Sequence, residues 1–142
     1  MSKTDIDPGK LAAYRATHYR VAAGGKQFTL LIEVPSRELL GLYELTKTDS
    51  ALFITAFNPF GTLQSRDANL SAHARLGEHL RALTHLTYEG CGGGPSGDWP
   101  EESSYLVLGI NKPTAELLGR RMQQDAVVWA GADGVPQLLL LR

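Results

Sequence analysis

The sequence predicts a single-domain α+β fold, with helices packed against a mixed or largely antiparallel sheet. Three observations predict it. The chain has 142 residues, which suits one domain and not two. Short apolar runs of strand length alternate with segments of helical period. The chain closes on two apolar runs joined through Asp133-Gly134, a dipeptide that favours a hairpin and so an antiparallel pair.

The elements follow in order. Residues 1–8 are polar and read as a frayed terminus, and Lys10 to about Val21 reads as a short helix passing into a strand. Gly24-Gly25 marks a turn. In residues 27–34, Phe28, Leu30, Ile32 and Val34 fall on one face of a half-exposed strand. Ser36 caps a helix over 37–47 whose inner face is Leu39, Leu42 and Tyr43. Residues 51–57 are almost uniformly apolar, as in a central strand covered on both faces, and Asn58-Pro59-Phe60-Gly61 ends it as a turn. Ser65 caps the longest helix, about 66–84, with Leu76, Leu80 and Leu83 as its core stripe. The stripe turns polar at His73 and Asn69.

A strand is expected at 85–89. Gly90 to Gly97 holds five glycines and one proline, and is expected to form a loop without regular structure. A strand from Ser103 to Ile110 comes next. Asn111 and Pro113 then open a helix over about 113–124, with Ala115, Leu118, Gly119 and Met122 inward. Strands at Ala126–Trp129 and Gln137–Leu141 complete the chain.

Composition narrows the function. Fourteen basic residues face fifteen acidic ones, with no basic stripe, so a nucleic-acid partner is not expected. No apolar run approaches the ~20 residues that span a bilayer, and no membrane partner is expected. The single cysteine, Cys91, cannot close an internal disulfide, and the polar start has no secretory core. Both point to the cytoplasm. Cys91 has no base partner in the sequence and reads as an incidental thiol. The four histidines have no ligand spacing, so neither a metal nor another cofactor is expected.

One polar region concentrates the candidates. It joins Thr55 and Asn58 at the end of the 51–57 run, Ser65 and Asn69 at the start of the long helix, and the glycine segment with its exit through Ser103. A helix N-terminus offers unpaired N–H groups, and glycine lets backbone approach a ligand, so a phosphate or carboxylate fits there. A flexible surface loop is the alternative. Trp99, Glu101 and Glu102 set two carboxylates beside an indole. An apolar neighbour raises a carboxyl pKa, which makes Glu102 the candidate acid or base. Adjacent strand residues point to opposite faces, so Glu101 and Glu102 cannot act as a facing pair. Tyr14, Tyr19 and Tyr43 could line a pocket, but anchoring helices to the sheet is the usual role of such residues.

Phe53-Ile54-Thr55-Ala56-Phe57-Asn58-Pro59, then Asn69, then Trp99-Pro100-Glu101-Glu102-Ser103 and the closing Gln124-Asp125-Ala126-Val127-Val128-Trp129 together resemble a bacterial family, domain of unknown function 3293. The resemblance runs from about Tyr14 to Leu141 and implies a small intracellular bacterial protein, with no activity attached. It adds Gln124 to the candidate positions. Where the family pattern often has Gln-Asn, this chain reads Gln124-Asp125, which places a charge where the pattern has an amide. Two functions are expected to compete: a pocket for a small polar or anionic ligand at the junction of 51–59, 65–72 and 90–103, or a protein-interaction module of unknown partner in which the same residues only hold the fold.

Overall fold

The computed structural model describes residues 4–94 and 101–142. They form four helices and one seven-stranded sheet. In chain order these are α1 (Pro8–Ala16), β1 (His18–Ala23), β2 (Lys26–Leu30), α2 (Arg37–Thr46), β3 (Ala51–Ile54), a single 3-10 turn (Pro59–Gly61), α3 (Arg66–Leu83), β4 (Thr87–Gly93), β5 (Glu102–Leu108), α4 (Lys112–Arg121), β6 (Ala126–Ala130) and β7 (Gln137–Leu140). The strand order is β2-β1-β4-β5-β3-β6-β7, and every neighbouring pair is antiparallel. The fold is α+β, with a fully antiparallel sheet.

Local rules set the helix starts. Ser36, Ser65 and Asn111 each accept a backbone N–H three residues ahead, at 3.1, 3.1 and 3.0 Å. Asp7 caps α1 from within the segment expected to fray, Pro8 opens that helix, and Ile6 is buried.

The sheet carries apolar side chains on both faces, which is why its interior strand β3 is buried at all four positions. On one face Leu52, Ile54, Tyr105 and Val107 pack with Leu76 and Leu80 of α3 and with Ala115 and Leu118 of α4. On the other, Phe53, Leu106 and Val128 pack with Leu39 and Tyr43 of α2.

Several expectations need correction. The strand over 27–34 stops at Leu30, because Glu33 turns left-handed (φ 65°) and gives its N–H to the Pro136 carbonyl at 2.8 Å. Val34 is consequently exposed. The strand expected over 51–57 also ends early, at Ile54. Leu83 is exposed, and Gly77 lies buried in α3 beside Leu76 and Leu80.

The largest correction concerns the glycine segment. Gly90 to Gly93 are strand residues in β4, Gly94 follows it, and residues 95–97 of the segment lie outside the described residues. The reason is close approach: a Cβ on Gly90 would stand 2.4 Å from the Arg20 carbonyl oxygen and 3.0 Å from Phe53 Cε2. Glycine here is what lets three strands pack. Cys91, expected in a loop, is therefore a half-buried residue of β4.

Candidate functional site

Strand alternation places Phe53, Ser104, Glu102 and, by pairing with Glu102, Gly92 on the α2 face of the sheet. Lys10, Ala13 and Tyr14 of α1 line a cavity together with residues of that face. This cavity between α1 and the sheet measures about 390 Å³, within the range of small-molecule sites. Its walls mix apolar residues such as Phe53, Val128 and Leu138 with the polar groups Tyr14, Glu102 and Gln124.

Glu102 is held by a relay that begins in a strained turn. Asn58 and Phe60 both adopt left-handed backbone, at φ 48° and 53°. Side chains fix this turn in place. Asn69, buried in the first turns of α3, accepts the Asn58 N–H through Oδ1 at 3.0 Å and donates through Nδ2 to Asn58 Oδ1 at 3.0 Å. The Gln64 N–H also donates to Asn58 Oδ1, at 3.0 Å. Two backbone N–H groups thus dictate which way both side-chain amides face. Asn58 is left with its NH2 toward β5, where it donates to Glu102 Oε2 at 2.7 Å.

Burial raises the Glu102 pKa above the ordinary carboxylate value, and the Asn58 bond works in the opposite direction with smaller effect. Its strand neighbour Glu101 points to the other face, is exposed, and lies 3.7 Å from Arg20. The two adjacent carboxylates are divided by the sheet, in the alternation that their spacing predicts.

A second polar group faces Glu102 across the cavity. Tyr14 on α1 donates its hydroxyl to Asp125 Oδ2 at 2.7 Å. Burial, and then the bond to Asp125, raise the Tyr14 pKa well above that of a free phenol. Asp125 is itself almost wholly buried, and its Oδ1 lies 2.7 Å from Nε of Arg142. The Nε–H points off that line, so charge more than a straight hydrogen bond holds the pair. The Arg142 guanidinium also lies 4.7 Å over the Phe60 ring.

The remaining candidates separate cleanly. Thr55 lines the cavity but spends its hydroxyl on the Ser103 carbonyl at 2.8 Å while accepting the Phe57 N–H. Gln124 lines it too, donating to the Phe57 and Met122 carbonyls at 3.1 and 3.3 Å. Asn69 stands behind Asn58, outside the lining residues. Ser65 only caps its own helix and is exposed away from the cavity, so the N-terminus of α3 contributes no N–H groups there. Trp99 lies outside the described residues.

Reading the sequence missed Asp125 as a site residue and weighed Tyr14 chiefly as an anchor. These two meet across 111 positions of chain, and no local pattern announces such a pairing. The one available signal was the acid standing where the family pattern often has an amide. Among the described residues, no group of three or more His, Cys, Asp or Glu side chains is placed to hold a metal ion, and no helix is long and apolar enough to cross a membrane.

The match to a family model spans residues 54–127, from the last residue of β3 into β6. The chain belongs to the family described as protein of unknown function (DUF3293). The residues of this DUF3293 match include Asn58, Asn69, Glu102, Gln124 and Asp125, while Tyr14 and the rest of α1 lie outside it. No curated protein and no solved structure matches the chain.

Proposed function

We propose that this protein binds a small polar ligand in the cavity between α1 and the sheet, with Glu102 as its polar anchor. The observation that carries the reading is the state of the Glu102 carboxylate. It is half-buried, it lines the cavity, and one oxygen is fixed by Asn58. The Asn69–Asn58–Glu102 relay spends two side chains and a strained turn on orienting that one group, which suits a functional carboxylate better than a purely structural one. Glu102 also combines a raised pKa with a cavity position, the two attributes of an acid–base group.

The anionic half of the expected ligand range has less support. The helix N-terminus that was to hold an anion lies elsewhere, and of the cations among the described residues only Lys10 lines the cavity.

A thermal-shift screen of the intact protein against amines, sugars, nucleosides, carboxylates and phosphates tests the reading. A ligand at about 100 times its dissociation constant stabilises by roughly 2.7 kcal/mol, or about 5–10 °C in a domain of this size. A reproducible shift that is lost in Glu102→Gln supports the site. A hit that is indifferent to Glu102→Gln, or no shift across the panel, counts against it.

A further inference from the structure

The hydroxyl and amide donors lining the cavity are engaged within the protein. Tyr14 donates to Asp125, Tyr19 to the Tyr14 carbonyl, and Thr17 to the Ala13 carbonyl. Thr55 donates to the Ser103 carbonyl and Ser104 to the Glu102 carbonyl. Gln124 commits both amide hydrogens to carbonyls. Two groups keep a hydrogen to spare. One is Asn58, whose amide gives a single hydrogen to Glu102. The other is Lys10, whose ammonium donates to the Phe60 carbonyl at the solvent-facing rim.

The acceptors are in the opposite condition. Among the described residues no donor reaches Oε1 of Glu102 or Oε1 of Gln124, and the Tyr14 oxygen retains its lone pairs after donating. Charge is also unbalanced. Arg142 neutralises Asp125, whereas Glu102 has no cation paired with it among the described residues. A half-buried carboxylate that lines a cavity and spends one oxygen on Asn58 favours a donor at the other, and a charged donor most.

We infer that the ligand of this cavity presents a protonated amine or amidine to Glu102, carried on an apolar body. The inference rests on the ligand-pocket reading above and narrows it to a chemical class. The apolar body is set by the rest of the same sheet face, where Phe53 and Tyr19 meet edge to face with centroids 5.2 Å apart, beside Val128 and Leu138. Aromatic rings next to an ammonium add a cation–π attraction.

Three probes of one shape separate the possibilities: benzylamine, benzyl alcohol and benzoate, each titrated into the intact protein while its amide NMR spectrum is followed. Benzylamine is expected to move the Gly92, Ala126 and Val127 amides saturably, and to bind about tenfold or more tighter than benzyl alcohol, with benzoate weakest. In Glu102→Gln that preference should collapse toward one. Acidification of the unmodified protein should erode it in the same way, as Glu102 takes up its proton, so the result does not depend on the variant folding. If benzyl alcohol or benzoate binds as tightly as benzylamine, the class is wrong while the pocket stands. An amine preference unchanged both in Glu102→Gln and at low pH also overturns it. If none of the three moves the cavity amides, the pocket reading falls and the inference with it.

Discussion

Asn58 donates its side-chain amide to Glu102 at 2.7 Å from a left-handed turn that Asn69 holds in place. The position of a charged group within the sheet thus depends on a side chain that begins in a loop. Cutting the relay at different points should give different results. In Asn58→Gly the left-handed backbone remains easy but the donor is gone, leaving Glu102 without that partner. The expected loss is about 1–3 kcal/mol in urea unfolding, together with a further rise in the Glu102 pKa, read by carboxyl NMR titration.

Glu102→Gln should flatten part of the dependence of stability on pH. The folded-state pKa of Glu102 lies above its ordinary value of 4.5. Its contribution is therefore fully favourable below the unfolded pKa, and is lost as pH rises through the raised folded value. Unfolding free energies measured across this window should fall in the unmodified protein relative to the variant. A difference that stays constant with pH would refute the shift.

The pair Asp125 and Arg142 predicts an asymmetry. Arg142→Ala leaves a buried carboxylate with its cation removed, and should cost about 1–3 kcal/mol once the 38% exposure of the Arg142 side chain is allowed for. Asp125→Asn removes the buried charge, strands only a partly exposed cation, and keeps an acceptor for Tyr14. It should cost less. Thermal melts of the two variants, side by side, settle the order.

Gly90→Ala and Gly92→Ala differ by two positions on the same face of one strand. The first drives a methyl into the Arg20 carbonyl, while the second meets nothing closer than 3.5 Å. Gly90→Ala should lose about 1–3 kcal/mol. Gly92→Ala should hold its stability or gain about 0.5–1 kcal/mol from the stiffer unfolded chain. Denaturant midpoints of the two compare them directly.

The same glycines mark where reading the sequence stops. Ser36, Ser65 and Asn111 are legible as caps because each bonds to a backbone group three residues away. Gly90 reads as a loop residue by propensity, yet its place in β4 is set by Arg20 and Phe53, which are remote in the chain. Val34 fits the alternation of a strand, but the bond from Glu33 to the Pro136 carbonyl ends that strand first. The site divides in the same way. Glu102 and Asn58 stand out from their local surroundings, and Gln124 enters only through the family resemblance. Tyr14 and Asp125 acquire their relation only when α1 folds over the sheet.

Helix α1 has no fully buried residue. Its polar ties to the rest of the molecule sit on single groups: Tyr14 to Asp125, Lys10 to the Phe60 carbonyl, and its own backbone to the Tyr19 hydroxyl. A roof with no fully buried side chain can lift while the sheet beneath stays whole. Entry to the cavity and unfolding of the protein are then separate events, each with its own rate. The amides of α1 should exchange with solvent far sooner than those of β3, and an occupant should slow the first while leaving the second nearly as it was.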